Sequence, residues 1–506
     1  RWGLSLATSG DTSMATDTRG RWINRSDPVN VVKDPLRQET AMARPRTANT
    51  RLASVIAEAG WSHRQVASAL VRVASEVGAQ DLLTVGRSHV SKWMAGIQPS
   101  GLAPDLLAET FSRRLGRSIT ADDLGLAPAA GSTGHSMIDW DADTLMGLDM
   151  LRKADVDGQR RRFVGAAAFS LAGLALPSER WWADLAKRGA NRTRPGTRTT
   201  GRADLEMIRE TSQVFSSLDQ RRGGGHARAA VATYLHTEVS PLLAGHFSDD
   251  GVRRAMFSTA GELAYLAGWM AFDAADHVTA QAHFTVSLKL AAEADDPPLA
   301  GHVIRAMAHQ AIDLGHLQQG LRLAEASLEG SRYGLASPRE RALLGVVYAR
   351  GLASTGHKRA AASALLRAED DLAAASPGDD EPARVFFFGE ASLAHETACA
   401  LRDTGDLAGA VREFRRSVRT RKAATFTRTH AVTLGYLGAA QARRGDIDEA
   451  CATWSRALDA MEGVHSARAR QTVVEMRRAL SPFRRRNNTT TSEIDSRAAA
   501  YLAAAV

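Results

Sequence analysis

The stretch GAAQARRGDIDEACATWSRA, from Gly438 to Ala457, decides the fold. Gly445 and Asp446 interrupt a helical apolar period, small residues stand at Gly438, Ala450 and Ala457, and Trp454 is the bulky side chain among them. This is how two helices meeting at a tight turn are written: small residues let the backbones approach, and one large ring fills the space that remains. The pattern recurs upstream. A small turn residue falls at Ala275, Gly315, Gly356, Gly405 and Gly445, spaced 40, 41, 49 and 40 residues apart. Seven positions before each stands Gly268, Ala308, Ala349, Ala398 or Gly438, and five after stands Ala280, Gly320, Ala361, Ala410 or Ala450. Nine after come Phe284, Leu365, Phe414 and Trp454, with Ala324 the exception. A fixed period of this length marks stacked helical units. Nearly everything from Ala203 to about Leu480 is helical in period, rich in Ala and Leu and poor in the β-branched alternation that strands need. The expected fold class is all-α.

The two clearest copies, Arg402 to Ser417 and Gly438 to Ala457, resemble tetratricopeptide repeats, a match extending over roughly 260 to 462. The period near 40 departs from the usual one of about 34, and the Gly315 copy is weak; an irregular helical bundle is the alternative. The resemblance implies a C-terminal superhelix whose concave wall is lined 13, 10, 6 and 3 positions before each turn residue. Here those positions include Glu262, Tyr265, Trp269, His302, Arg305, His309, Arg350, His395 and Arg402. Aromatic, His and Arg side chains suit a peptide or protein ligand offering carboxylates or backbone carbonyls. The bland alternative is a solvated wall.

Residues 47–126 form a separate unit of short helices. The first runs from about Thr50 to Glu58 and ends at Gly60; Ser62 can cap a second that carries Val66, Ala67 and Leu70 on one stripe. After a long connection from Ala74 to Val85 comes GRSHVSKWMAG, from Gly86 to Gly96. On a helix Val90, Trp93 and Met94 share one face, which leaves Arg87, Ser88, His89, Ser91 and Lys92 outside. Such a row of donors is what a major-groove reader needs, Arg forking onto guanine and Lys meeting phosphate. Between 44 and 118 there are ten Lys plus Arg and five Asp plus Glu, so that stretch holds +5 of the chain's +8. The pattern resembles the N-terminal helix-turn-helix of actinobacterial phage-repressor-type (XRE-like) regulators, with Pro104 to Arg117 and then Ile119 to Leu126 resembling their closing helices. In that family the module is joined to a tetratricopeptide array, and its members are associated with development and secondary metabolism. The resemblance implies a transcriptional regulator binding double-stranded DNA, with a homodimer allowed. The competing reading is a repeat scaffold that binds protein or peptide partners and no DNA.

The rest of the chain excludes more than it offers. Residues 1–46 lack any period and are expected to be disordered, with the part before Met42 a candidate tag or upstream fragment. Segments 127–136 and 189–201 read as linkers around a helical connector, 137–188, and 481–506 reads as a flexible tail. Within the connector, Arg160 to Leu176 looks like a twin-arginine export signal but lies far inside the chain and is too short to span a bilayer. A buried helix is expected, with no membrane. Cys399 and Cys451, 52 residues apart and without nearby His/Cys clusters, support neither a zinc site nor a disulfide framework, which fits a cytoplasmic protein. Gly351 to Arg359 misplaces the Lys of a phosphate loop, Gly223 to Gly225 reads as a hinge, and neither HExxH nor GxSxG occurs. No enzyme, catalytic residue, metal or cofactor is expected.

Overall fold

The computed structural model describes residues 47–76, 79–117, 119–127, 140–157, 169, 174–192, 198–376, 381–483 and 489–504. The chain is all-α. Among the described residues the only sheet is a two-residue parallel pairing, Thr199 and Thr200 with His246 and Phe247. The expected disordered segment 1–46 and most of the expected linker 127–136 lie outside the described residues.

Four helices build the N-terminal module: α1 (Thr50–Ala59), α2 (His63–Glu76), α3 (Arg87–Met94) and α4 (Ala103–Leu115). The Asn49 side chain accepts from Leu52 N–H to start α1, and Gly60, at φ +64°, ends it. Ser62 and Gln65 bond reciprocally at the start of α2. Leu52, Val66, Leu70, Val90, Leu106 and Phe111 meet in one core. Of the closing segment, Pro104 to Leu115 is helical within α4, but the part after Ile119 differs from its expectation. Residues 121–125 are turns, not helix, because Asn49 donates to the Leu124 carbonyl at 2.9 Å and Thr120 and Asp123 bond each other locally.

The connector supplies α5 (Thr144–Asp157) and α6 (Glu179–Ala190). Asp155 anchors α5 to the array through His236 at 3.1 Å and His283 at 3.2 Å. Most of Arg160 to Leu176 lies outside the described residues, but Phe169 and Leu174 are buried, and Phe169 stacks on His316. Among the described residues no helix is long and apolar enough to cross a membrane.

Then come α7 (Arg202–Arg222), α8 (Gly224–Tyr234) and α9 (Ser240–Leu243), followed by the paired helices. These are α10 (Asp250–Asp273) with α11 (His277–Ala294), and α12 (Pro297–Asp313) with α13 (Leu317–Ser327). A short α14 (Ser331–Gly334) precedes α15 (Pro338–Ser354) with α16 (Lys358–Ala373). The last pairs are α17 (Glu390–Thr404) with α18 (Leu407–Thr420), and α19 (Thr427–Arg444) with α20 (Ile447–Ala460), then α21 (Ala467–Leu480) and α22 (Thr489–Ala504). Every turn residue picked out by the repeat is left-handed: φ is +62° at Ala275, +86° at Gly315, +87° at Gly356, +92° at Gly405 and +97° at Gly445. At each, its N–H bonds the carbonyl three residues back while the next N–H bonds the carbonyl five residues before itself, as Gly445 to Ala442 and Asp446 to Gln441. This double bond pattern satisfies the last carbonyls of the first helix in each pair. The bulky position also does what its size suggests: a Cβ added at Gly268 would lie 2.8 Å from Phe284, and one at Gly438 would run into the Trp454 ring.

Two segments behave otherwise than expected. Thr200, read as linker, is buried, its hydroxyl donating to Leu242 at 3.2 Å, so residues 198–200 are tied down. Residues 489–504, read as a tail, form α22, which buries Ile494 and Ala498 against the core that contains Trp454 and Met476. The alanines and Ile494 on one face of that segment give it an apolar stripe to bury.

The array closes on itself. Arg428, at the start of the last pair, donates to Asp219 at 2.9 Å and to Asp273 at 3.1 Å, joining α19 to the ends of α7 and α10. Ser466 also donates to Asp273, and Gly225 N–H donates to the His465 carbonyl. The glycine triplet 223–225, read as a hinge, is the seam where this closure forms: Gly223 sits at φ +86°, and Gly224 N–H donates to Asp273 at 2.9 Å.

Candidate functional site

The outer face of α3 is held from behind. Val90 and Trp93 are buried in the module core, so the helix cannot roll, and Arg87, Ser88, His89 and Lys92 are left exposed. Gly86 N–H donates to His89 Nδ1 at 3.2 Å, which orients that ring. Ser91 does not join the row. Its hydroxyl donates to the Arg87 carbonyl at 3.1 Å and lies 3.0 Å from His63, because its position on the helix turns it toward α2. The module meets the array through α4, where Glu109 is buried between Arg113 and His316.

Inside the closed array is a cavity of about 830 Å³. Glu262, Tyr265, Trp269, Arg305, His309 and His395 line it, together on one wall as their repeat positions imply. His302, Arg350 and Arg402 do not. His302 is fully buried behind the wall, Arg350 turns to Asp313 at 2.7 Å, and Arg402 bonds Asp403 while lying over Tyr436. The expected open groove is covered as well: Ser212, Ser216 and Gln220 of α7 face the wall, and Phe386 to Phe388 come from the segment between α16 and α17.

Arg384, also from that segment, donates to both oxygens of Glu340 at 2.7 and 2.9 Å and to Glu262 at 2.8 Å. Burial alone would raise the Glu340 carboxyl, but Arg384 and His302 bring it down to about 2. His302 Nδ1 lies 3.1 Å from Glu340, and its Nε2 lies 3.1 Å from an Arg305 nitrogen. A guanidinium only donates, so Nε2 accepts and Nδ1 carries the proton; the ring is neutral, in keeping with burial and Arg305 pushing it down to about 4. Arg305 also donates to the Tyr265 hydroxyl at 2.8 Å and lies over the Trp269 ring, 5.4 Å from its centroid.

Sequence reasoning missed Arg384, Arg421, Arg428, Arg468 and Glu396, all of which line the cavity. A signal existed for Arg384: the interval from Gly356 to Gly405 is 49 residues where its neighbours are 40 or 41, and the excess holds this residue and the three phenylalanines. Arg468 lies beyond the last recognisable repeat, and its place beside Trp269 depends on ring closure. Among the described residues no group of three or more His, Cys, Asp and Glu could hold a metal ion.

Residues 52–127 match the family described as the SP15 N-terminal domain, a match that covers the helices α1 to α4 and the turns after them. Comparison with curated proteins and with solved structures finds no match.

Proposed function

We propose that the chain is a cytoplasmic DNA-binding transcriptional regulator, in which α3 reads the major groove of a duplex and the tetratricopeptide-like array senses a ligand or partner. The observation that carries this reading is the face of α3: four donor side chains exposed on a helix locked by Val90 and Trp93, with no Asp or Glu between residues 82 and 104. Arg87 and His89 would meet base edges and Lys92 a phosphate. A homodimer would place two such helices on half-sites one helical turn apart. The reading assigns the chain no catalysis and no cofactor. The resemblance to regulators of development and secondary metabolism points to that kind of target.

The test is duplex binding by anisotropy across a salt series, on fragments recovered from a genomic footprint of the bound protein. Replacing Arg87, His89 and Lys92 by Ala together should abolish binding with helicity intact, and a single Lys92→Ala should lessen the salt dependence by about one phosphate. A triple variant that binds as tightly as the wild type at 0.1 M salt would leave the array as a scaffold for protein or peptide partners.

A further inference from the structure

The arginines of the cavity are not equally compensated. Arg384 shares Glu262 and Glu340, and Arg428 holds Asp219 and Asp273. Arg305 has no such partner. It is 2% exposed, its bonds go to the neutral Tyr265 and His302, and its Nε is buried without any partner. Arg421 is in the same position: it bonds the Ala391 carbonyl at 2.9 Å and the Ser417 hydroxyl at 3.1 Å, and its Nε too is unpartnered. Burial, with Arg428 nearby, pushes its guanidinium down to about 10. Arg468 lies over Trp269 at 6.0 Å and is partly compensated, by Asp313 at 4.0 Å and by Asp273, which hold its guanidinium up against burial. Beyond Asp219 and Glu262 the lining offers three acids: Glu381, which accepts from Ser337 and from Arg339 N–H, Asp296, which accepts from Ser258 and from Leu299 N–H, and Glu396, whose Oε2 is unpartnered; none of them pairs with Arg305 or Arg421.

A buried cation without a counter-charge is costly to hold, so a site built this way is preorganised for an anion that arrives with a ligand. One part of the lining is apolar, where Tyr265 and Trp269 stack at 6.3 Å and Leu263, Leu343 and Val347 contribute, whereas α7 brings the uncharged polar side chains of Ser212, Ser216 and Gln220. The volume lies in the range of small-molecule sites, roughly 300 to 1,000 Å³, and α7 with the 381–388 segment covers the trough that an extended chain would need.

We propose that this cavity binds a small amphipathic organic anion, a carboxylate on an aromatic or hydrocarbon body, with the carboxylate on Arg305 and Arg468 and the body against Trp269 and Tyr265. The Tyr265 oxygen accepts from Arg305 and keeps its own proton for the second carboxylate oxygen. This rests on the reading of the array as the sensing half of a regulator, and it names the chemical class that is sensed.

The experiment titrates the full chain with 1-naphthoate and with decanoate, following tryptophan fluorescence and the melting temperature, with 1-naphthamide as the uncharged match. Saturable binding of the acids is expected, with the amide about tenfold or more weaker, as the loss of a charge-assisted bond requires. Arg305→Met and Arg468→Met should each weaken binding by about tenfold with the circular dichroism unchanged, and Trp269→Phe should remove most of the fluorescence response. Should either Met variant unfold, Arg305→Lys replaces it, which keeps the charge but loses the fork and should still weaken binding. Equal affinity for acid and amide overturns the proposal, as does no saturable binding to a chain that melts normally, or binding only of an extended acidic peptide. Duplex binding is measured alongside: loss of DNA binding with acid binding intact sinks the regulator and spares the site, and the reverse sinks only the site.

Discussion

Replacing Arg428 by Met tests whether the array is held closed by one buried ion triad. The side chain is 4% exposed, and Asp219 and Asp273 beside it are 1% and 0% exposed. Removing the charge while keeping most of the volume leaves two buried carboxylates, a situation that typically costs about 3 to 5 kcal/mol. The two acids are not equivalent. Asp273 keeps bonds from Gly224 N–H at 2.9 Å and from Ser466 at 3.0 Å, whereas Asp219 keeps only the long contact to Gln220 at 3.5 Å, and its Oδ1 is already unpartnered. Asp219 should therefore take up a proton. Burial has raised it to about 6 even with Arg428 in place, so in the wild type it is ionised above that pH, while in the variant it stays protonated. The folded variant then holds one more proton than its unfolded chain, and its stability falls as pH rises, by about 1.4 kcal/mol per unit, while the wild type does not change through this group. The expected difference is about 4 kcal/mol at pH 8 and about 1 to 2 at pH 6. Urea unfolding at the two pH values reads it, and hydrogen exchange should show the ends of α7 and α19 opening first. A difference below about 0.5 kcal/mol at pH 8, or one that is the same at both pH values, would refute the reasoning.

Three further outcomes are expected. Gly268→Ala places a methyl 2.8 Å from Phe284 and should lower stability by about 1 to 3 kcal/mol, read as a drop in melting temperature; no drop would mean that the pairs are loosely packed. Ala275→Gly should raise stability by about 0.5 to 1 kcal/mol, since φ is +62° there, while Gly405→Ala should lower it by a similar amount; opposite signs would discredit the turn geometry. Burial pushes His277 and His302 down to about 4 and His395 to about 3, so between pH 6.5 and 4 the unfolded chain binds protons that the folded one does not. Stability should accordingly fall with acidification across that window, opposed by Asp219, Glu262 and Glu293, whose carboxyls burial raises, and a urea midpoint that stays level from pH 7 to 4.5 would count against the buried neutral histidines.

The pairing of helices was legible because a left-handed turn residue and a small-for-large exchange across two helices must both be written locally. Gly405 and Gly445 announce the turn, and Gly438 with Trp454 announces the contact. The wall positions were legible for the same reason, since Glu262, Tyr265 and Trp269 share one face of α10 by period alone. Which of them meet a common space was not. His302 and Arg350 satisfy the same spacing yet turn to Glu340 and Asp313, because partners from neighbouring helices compete for them. Closure was out of reach altogether: Arg428 and Asp219 lie 209 residues apart, and their meeting depends on the curvature summed over every pair between. Ser91 failed for a smaller reason, as one hydroxyl at the edge of a helix face can turn either way and His63 decides it.

Joining the first pair to the last changes what evolution can do with this chain. An open stack of helical pairs lengthens or shortens by duplication, since each unit leans only on its neighbours. Here an added or deleted unit would shift Arg428 by roughly one helix spacing, about 8 to 10 Å, away from Asp219 and Asp273, and would break the seam at Gly223 to Gly225. The number of units is thereby fixed. Variation in length should instead collect where a pair can bulge without altering the circuit, as the segment carrying Arg384 already does between α16 and α17.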